Sequence, residues 1–214
     1  MACRLKGKVA TITGSYSGLG RAIVLAYAAE GAAIFSDSIH NRTLEPTTLE
    51  ELCRLYPGRE HMFVKVDVTK ANDMRNGIAL CVKKTFDDTM VTNAKRVFLG
   101  CKYAIRQMVL QKPLPDTSYC ASKGAVIQLT RQIALNYAGS KIHSNCLCPG
   151  FLITAMTQHV QSDPLEAAQM SKDHPLRGLG KPENVARAAV FLASEDVRWM
   201  TGPVLPVDGG YTCH

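Results

Sequence analysis

The amino-acid sequence predicts an α/β protein built on a doubly wound parallel sheet that lacks two of its strands. Three observations lead to this fold class. Short apolar, β-branched segments alternate with helical patterns between residues 8 and 68. A glycine-rich turn joins the first strand to the first helix. Three helical patterns then follow one another with no strand pattern between them.

The first half of the chain has the order strand, helix, strand, helix, strand. Each predicted strand is short and rich in β-branched residues, and each predicted helix has apolar residues at helical spacing. This order is typical of parallel strands whose connecting helices cover the faces of the sheet. The strands are KVATIT (8–13), AAIFSD (32–37) and HMFVKVDV (61–68), and the helices are GRAIVLAYAAEG (20–31) and TLEELCRLY (48–56).

The second half of the chain breaks this alternation. Helical patterns cover residues 71–85, 86–112 and 118–138, and strand patterns return only at 141–149 and 203–208. Each crossover helix in a parallel sheet should connect two strands. The sheet is therefore expected to lack its fourth and fifth strands.

The composition points to one globular domain spanning residues 1–214, with 46% apolar and 20% charged residues. Polar residues interrupt each apolar run before it could span a membrane, and the N-terminus has no apolar segment followed by a cleavage site. The eight cysteines form no CxxC or Cys/His cluster, so we expect no metal site and a reducing, cytoplasmic location. The formal charge of +7 is spread without a basic run, which argues against a nucleic-acid partner.

The turn TGSYSGLG (13–20) lies between the first strand and the first helix. Gly14 permits a sharp exit from the strand, while Gly18 and Gly20 allow backbone to approach a pyrophosphate and the helix to pack closely. A helix that begins near Gly18 would direct its free N–H groups at the phosphates. The turn therefore predicts a Rossmann-type dinucleotide site, with a tight turn that binds no ligand as the alternative.

Two aspartates end the second and third predicted strands. Asp37 follows Gly20 by 17 residues, and a carboxylate there can accept both ribose hydroxyls of NAD and would repel the 2′-phosphate of NADP. We therefore favour NAD(H), although Arg42 nearby keeps NADP(H) possible. Asp67 and Val68 are candidates for an adenine contact, and a helix N-cap or turn is the alternative for Asp67.

The segment TSYCASKG (117–124) places a tyrosine and a lysine four residues apart on a predicted helix. At this spacing Tyr119 and Lys123 project from the same helix face. A nearby ammonium favours a phenolate over a phenol, which would let a tyrosine exchange a proton with an alcohol or carbonyl oxygen at neutral pH. A tyrosine and a lysine at this spacing are common in proteins. The pair indicates a catalytic site here because it lies downstream of a predicted dinucleotide-binding turn.

With these motifs the chain resembles the short-chain dehydrogenase/reductase family over nearly its full length. The resemblance implies an oxidoreductase that transfers hydride between NAD(P) and a secondary alcohol or ketone, and that assembles as a homodimer or homotetramer. The motifs are, in chain order, TGSYSGLG, the Asp67–Val68 pair, Asn93 in VTNAKRVFLG, YCASK, NCLCPGFLIT and TGPVLPVDGG.

The resemblance also implies a role for each site residue. Tyr119 would be the general acid/base, Lys123 would favour its phenolate and hold the nicotinamide ribose, and Asn93 would position a water in the proton relay. All three are also expected to contact the cofactor. The remaining cofactor-binding residues would be the turn residues Gly14, Ser15, Ser17, Gly18, Leu19 and Gly20, together with Pro149, Gly150 and Thr154 around the nicotinamide.

Some of these residues have a simpler interpretation from their local pattern. Asn93 alone would be an asparagine on a helix surface, and Thr154 alone would be the N-cap of a helix that starts at AMTQ. The Gly209–Gly210 pair is interpreted as a structural turn that packs near the sheet, with a subunit contact as a second use. The segment after Thr154 would form the substrate lid by resemblance.

Two family segments are missing from the chain. A strand that ends in an Asn-Asn-Ala-Gly motif is absent at the Thr85–Phe86 junction, and a strand that carries a catalytic serine is absent before Tyr119. Together they amount to roughly 40 residues. Loss of a hydrogen-bond donor such as this serine typically lowers the rate by ~10²–10³. The alternative function is therefore an inactive or truncated relative that binds a nucleotide or a partner protein.

We expect the missing strands to make the chain unstable, or to make the strand at 141–149 pair directly with the strand at 8–13. Without the two strands, helices 86–112 and 118–138 lose the sheet faces that they should cover, and backbone donors and acceptors of the neighbouring strands lose their partners. The intact mass of the natural protein tests the deletion itself, and a value near 23.3 kDa is expected if it is real. Soluble expression with a sharp unfolding transition and native-like cofactor affinity would contradict the expected instability.

Overall fold

The computed structural model describes residues 3–38, 47–59, 61–67, 70, 72–74, 76, 115–176 and 178–213. These residues belong to two compact units. The first unit holds the described residues up to Asp67, the segment Leu147–Arg198 and the chain from Pro206 onward. The second unit holds the described residues from Lys70 to Cys146 and the segment Trp199–Leu205.

Three parallel strands form the sheet of the first unit. They are β1 (Val9–Thr13), β2 (Ala33–Ser38) and β3 (His61–Lys65), with β2 in the middle. Their positions confirm the three strands predicted for the first half of the chain. The register sets Asp37 opposite Thr13 on one side and opposite Val64 on the other. The carboxyl ends of the three strands therefore meet at one edge of the sheet.

The two helices between these strands also follow the prediction. Helix α1 (Gly18–Ala29) follows β1, and helix α2 (Thr48–Leu55) precedes β3. Helix α2 begins with a reciprocal cap in which the Glu50 N–H donates to Thr47 Oγ1 at 3.2 Å and the Thr47 N–H donates to Glu50 Oε2 at 2.7 Å. This cap satisfies two backbone donors at the first turn of a helix that is only eight residues long.

The C-terminal half of the described chain is mainly helical. The predicted helix at 118–138 is confirmed as α3, and the two predicted strands return as shorter elements. The elements are α3 (Pro115–Tyr137), β4 (Cys146–Pro149), α4 (Gln158–Ser162), α5 (Pro164–Lys172), α6 (Pro182–Ala193) and β5 (Val204–Val207), with 3₁₀ turns at Ala138–Ser140, Ala155–Thr157 and Glu195–Val197.

The core of the first unit lies where α1 packs between the sheet and α6. Both helices present small or β-branched residues at this contact, which allows a close approach. The Tyr27 hydroxyl of α1 donates to the Ala189 carbonyl of α6 at 3.0 Å, and burial raises the pKa of Tyr27. The buried apolar cluster consists of Leu5, Val24, Ala28, Ala32, Ile34, Leu52 and Val190.

The expected direct pairing of the strand at 141–149 with the first strand is wrong for the described residues. There β4 pairs with β5, and β1 pairs with β2. The Cys146 N–H donates to the Pro203 carbonyl at 3.0 Å and the Gly150 N–H donates to the Val207 carbonyl at 3.2 Å, so the two strands run in the same direction. Among the described residues, β4 obtains its ladder bonds from β5, which satisfies one of its two edges.

Part of the sequence prediction lies outside the described residues. Of the helix predicted at 71–85, residues 72–74 and 76 are described and are helical. The helix predicted at 86–112, including the Thr85–Phe86 junction, is not among the described residues. Within the described ranges, the helices are too short or too polar to cross a membrane.

The imidazole of His61, at the start of β3, makes stability depend on pH. Burial lowers its pKa below the value of about 6.5 of a free imidazole, and the Arg59 charge adds to this effect. Among the described residues neither ring nitrogen has a hydrogen-bond partner. Below pH ~6.5 the unfolded chain binds a proton that the folded chain does not, so the stability is complete above this pH and falls as the pH falls.

We expect His61→Phe to reduce the loss of stability between pH 7 and pH 5, because phenylalanine cannot bind a proton and keeps a ring beside Tyr56. Denaturant unfolding at several pH values measures the effect. Met62→Leu, at the next position of β3, is the control for a change of side chain that involves no proton binding. Equal pH dependence in wild type and His61→Phe would contradict the assignment.

Candidate functional site

The glycine-rich turn after β1 exposes backbone at two positions. Gly14 has φ 66° and Gly18 has φ 52°, a left-handed conformation that favours glycine. Among the described residues, a Cβ atom built on Gly14 would meet no atom within 4 Å, and one built on Gly18 would meet Thr154 Cγ2 at 4.0 Å. The turn therefore leaves open space above its backbone, which is what a bound pyrophosphate requires.

The third glycine of the turn is needed for packing. A Cβ atom on Gly20 would lie 2.3 Å from the Gly14 carbonyl oxygen and 3.3 Å from Ser15 Cα. Side-chain carbon atoms essentially never approach backbone this closely, so the first turn of α1 can rest on the preceding loop only with glycine at position 20. This contact confirms the packing role that the sequence predicts for Gly20.

The N-terminus of α1 points its first N–H groups out of this turn. Ser17 is the N-cap residue with extended backbone, and its side chain makes no capping hydrogen bond. Leu19 is half-buried in the first helical turn. Free N–H groups and the positive end of the helix dipole make such a terminus attractive to an anion.

Helix α2 supports the glycine-rich turn through Thr48, a residue that no sequence motif indicates. The buried Thr48 hydroxyl donates to the Ser15 carbonyl at 3.1 Å and lies 3.4 Å from the Tyr16 carbonyl. Ser15 itself is 1% exposed. An ion pair between Arg21 of α1 and Glu51 of α2 links the same two elements. A threonine at the start of a helix is common, so only the folded structure shows that this threonine holds the Ser15 carbonyl.

The acidic residues at the strand ends lie at the edge that the turn faces. The backbone of Asp37 is in register with Thr13, the residue just before Gly14. Asp67 follows the last residue of β3 by two positions and is half-buried. Val68 and Asn93 lie outside the described residues. The structure thus brings the backbone of Asp37 and the glycine turn to one edge.

The loop after β4 approaches this turn. Pro149 ends β4, and Thr154 is the N-cap of a 3₁₀ turn in which its N–H donates to Thr157 Oγ1 at 3.1 Å. The N-cap interpretation of Thr154 is therefore correct, and its methyl group also lies beside Gly18. A Cβ atom on Gly150 would lie 2.8 Å from Asp208 Cα and 2.9 Å from His174 Nε2. Gly150 is thus required by packing.

The C-terminal VDGG segment forms a turn around the Asp208 carboxylate. The Gly210 N–H donates to Asp208 Oδ1 at 3.0 Å, and the Thr212 hydroxyl donates to Asp208 Oδ2 at 2.7 Å. These bonds, the Thr212 one above all, hold the pKa of Asp208 below its usual range. Gly209 and Gly210 have φ of 62° and 91°, as the structural turn predicted for this pair requires.

The Tyr119–Lys123 pair lies in the second unit, on α3. The two side chains are one helical turn apart, and Lys123 Nζ lies 5.1 Å from the centroid of the Tyr119 ring. This is within the range of a cation–π contact. Tyr119 is 64% exposed.

Comparisons with known proteins identify the family of the chain. Residues 8–94 match the family profile of short chain dehydrogenases, and residues 76–212 match the profile described as enoyl-(acyl carrier protein) reductase. The 2-(R)-hydroxypropyl-CoM dehydrogenase of Xanthobacter autotrophicus is 31% identical, with 96% of this chain and 98% of the relative covered. The chain belongs to the short-chain dehydrogenase/reductase family. As a member of this family it is an NAD(P)-dependent oxidoreductase.

Two further proteins support the assignment of this chain to the short-chain dehydrogenase/reductase family. A 2,5-dichloro-2,5-cyclohexadiene-1,4-diol dehydrogenase of Sphingobium indicum is 30% identical over 99% of both chains. The crystal structure of a short-chain type dehydrogenase/reductase from Mycobacterium marinum superimposes with a TM-score of 0.78 at 27% identity, covering 99% of this chain and 98% of that one. Both predicted family membership and the predicted α/β class of the fold are thereby confirmed.

The comparisons also bear on the two missing segments. The alignments with the two dehydrogenases extend over 251 and 252 positions, whereas this chain has 214 residues. At least 37 aligned positions of the first relative therefore have no counterpart in this short-chain dehydrogenase/reductase. This shortfall matches the size of the two absent strands with their connections, roughly 40 residues.

We expect Gly20→Ala to destabilise the enzyme by about 1–3 kcal/mol and to weaken cofactor binding by at least about tenfold, because the added methyl group must displace the Gly14 carbonyl. Denaturant unfolding and cofactor titration measure the two effects. Gly139→Ala is the matched control, since a Cβ there meets no atom within 4 Å. A Gly20→Ala enzyme that binds cofactor as tightly as the control would show that the turn is not the cofactor site.

Proposed function

We propose that this short-chain dehydrogenase/reductase transfers hydride between NAD(P) and a secondary alcohol or ketone, with Tyr119 as general acid/base and Lys123 as its assistant. The observation that carries the proposal is the contact on α3, where Lys123 Nζ lies 5.1 Å from the centroid of the Tyr119 ring. This contact places the lysine charge and the tyrosine ring on one face of α3, as an acid/base tyrosine with an assisting lysine requires.

The proton transfer is the contribution of the chain's own residues. In the oxidation direction the Tyr119 oxygen would take the proton of the substrate hydroxyl, and in the reduction direction it would return one to the carbonyl oxygen. The exposure of Tyr119 supports this role, because the substrate must reach the phenol oxygen. Asn93, which lies outside the described residues, would order a water that relays the proton onward.

Most of the residues that would hold the cofactor lie in the first unit. The open backbone at Gly14 and Gly18 fits a pyrophosphate at the N-terminus of α1, since a Cβ on Gly14 would meet no atom of the described residues within 4 Å. When bound, the nicotinamide supplies the hydride acceptor or donor. The remaining proposed contacts are made by Ser15, Ser17, Leu19 and Gly20 in the turn, by Asp37, Asp67 and Val68 at the strand ends, and by Pro149, Gly150 and Thr154.

A preference for NAD(H) over NADP(H) is part of the proposal. The register of β1 and β2 brings the backbone of Asp37 level with the residue that precedes Gly14. A carboxylate at the end of the second strand favours free ribose hydroxyls and repels a phosphate in their place. Affinities for NADH and NADPH, measured on the same preparation, test this preference.

An alcohol or ketone substrate is supported by the relatives. The two similar dehydrogenases are named for a hydroxypropyl compound and for a diol, so both act on hydroxyl groups. The same proposal includes a single domain, residues 1–214, a homodimer or homotetramer and a cytoplasmic location. Sedimentation of the purified protein tests the assembly.

A second candidate function is favoured by the shortened chain. At least 37 aligned positions of a relative have no counterpart here, and the serine-bearing strand is one of the segments missing from the sequence. The serine would donate to the substrate oxygen, and without it the chain would bind the nucleotide or a partner protein with little turnover. Cofactor binding without turnover on a broad panel of alcohols and ketones would favour this candidate.

We expect Tyr119→Phe to lower kcat by at least about 10²-fold while cofactor affinity stays within about twofold, because the phenol oxygen moves the proton and the ring remains. Steady-state kinetics and cofactor titration check the two effects. Tyr137→Phe, near the other end of α3, is the matched control and should retain activity. Undiminished turnover in Tyr119→Phe would refute the proposed acid/base role.

A further inference from the structure

His174 is a buried histidine with both ring nitrogens in hydrogen bonds. It is 1% exposed and follows helix α5 by two residues. Its Nδ1 lies 2.7 Å from the Met170 carbonyl oxygen, and its Nε2 lies 3.2 Å from the Phe151 N–H. A backbone N–H can only donate, so Nε2 is the acceptor and the proton is on Nδ1. The two bonds therefore define a neutral ring in one tautomer.

The bond to Phe151 fixes the loop that follows β4. The Gly150 N–H is held by the Val207 carbonyl at 3.2 Å, and the Ile153 N–H is held by the Gly180 carbonyl at 2.8 Å. Between them the Phe151 N–H depends on a side chain that lies 23 residues further along the chain. Loss of the His174 ring would leave the Phe151 N–H without this acceptor, so the loop position and the His174 ring are coupled.

The ring also sets the loop by contact. A Cβ on Gly150 would lie 2.9 Å from His174 Nε2, so the imidazole packs directly on this glycine. The Phe151 ring meets the imidazole edge to face at 5.8 Å, and the Tyr211 ring stacks on it at 4.8 Å. The C-terminal turn and helix α5 thus hold the imidazole, and the imidazole holds Gly150 and Phe151.

The same loop ends at the cofactor turn, because the Thr154 methyl group lies beside Gly18. We propose that His174 is a positioning residue for the nicotinamide end of the cofactor site. It holds the Phe151 amide, and through it sets the backbone of Pro149, Gly150 and Thr154 that would line the nicotinamide. This inference rests on the proposed function, since that function assigns the loop to the nicotinamide.

Two isosteric substitutions separate the two bonds of His174. Asparagine can place a donor near the Nδ1 position and keep the Met170 bond, but it does not reach Phe151. Glutamine can place an acceptor near the Nε2 position and keep the Phe151 bond, but it loses the Met170 bond. Both variants lose the aromatic contacts, so His174→Gln is the matched control for His174→Asn.

The measurement compares NADH with ADP-ribose, which lacks the nicotinamide. We expect His174→Asn to bind NADH about fivefold to tenfold more weakly than wild type, as the loss of one positioning hydrogen bond predicts. ADP-ribose affinity should stay within about twofold, and His174→Gln should bind both ligands as wild type does. NADPH and its phosphorylated ADP-ribose analogue replace the pair if the wild type prefers NADP.

Equal effects of the two substitutions, or equal losses of NADH and ADP-ribose affinity, would overturn the positioning role and leave the proposed function standing. A wild type that binds neither ligand would overturn both. A ¹⁵N NMR spectrum of the wild type decides the matter even where a variant fails to fold. The proton is expected on His174 Nδ1, and a proton on Nε2 would exclude the bond to Phe151.

Discussion

The close approach of helix α1 to the loop before it is the constraint on which the proposed cofactor site depends. Position 20 tolerates no side chain because its Cβ would overlap the Gly14 carbonyl. With glycine there, the helix can start directly after β1 and direct its N–H groups out of the turn. The parallel register then brings Asp37 to the same edge, and the fold brings Thr154 beside Gly18.

Helix α1 is held on several sides, which makes this turn a rigid platform. The sheet and α6 bury its apolar face, and the Tyr27 hydroxyl ties it to the Ala189 carbonyl. Helix α2 adds polar contacts, since Thr48 donates to the Ser15 carbonyl and Glu51 pairs with Arg21. A binding site gains precision when its backbone rests on packed elements of this kind.

The loop proposed to line the nicotinamide is held by different contacts. There the backbone of the loop after β4 is held by β5, by the strand-like bridge to Gly180 and by the His174 ring. Asp208 shapes the C-terminal turn whose backbone packs against Gly150. These parts all come from the last third of the chain.

The sequence by itself determined the elements whose signals are local. Strands β1–β3, helices α1–α3 and the Tyr119–Lys123 face follow from periodicity and helical spacing, and Gly14 and Gly18 follow from the backbone conformation that the turn needs. Only the tertiary structure decided that Thr48 supports Ser15, that His174 supports Phe151 and that β4 pairs with β5. Those contacts join residues that are distant along the chain. They form because the folded chain must bury apolar surface and give its backbone donors acceptors at the same time, and no local sequence pattern encodes this.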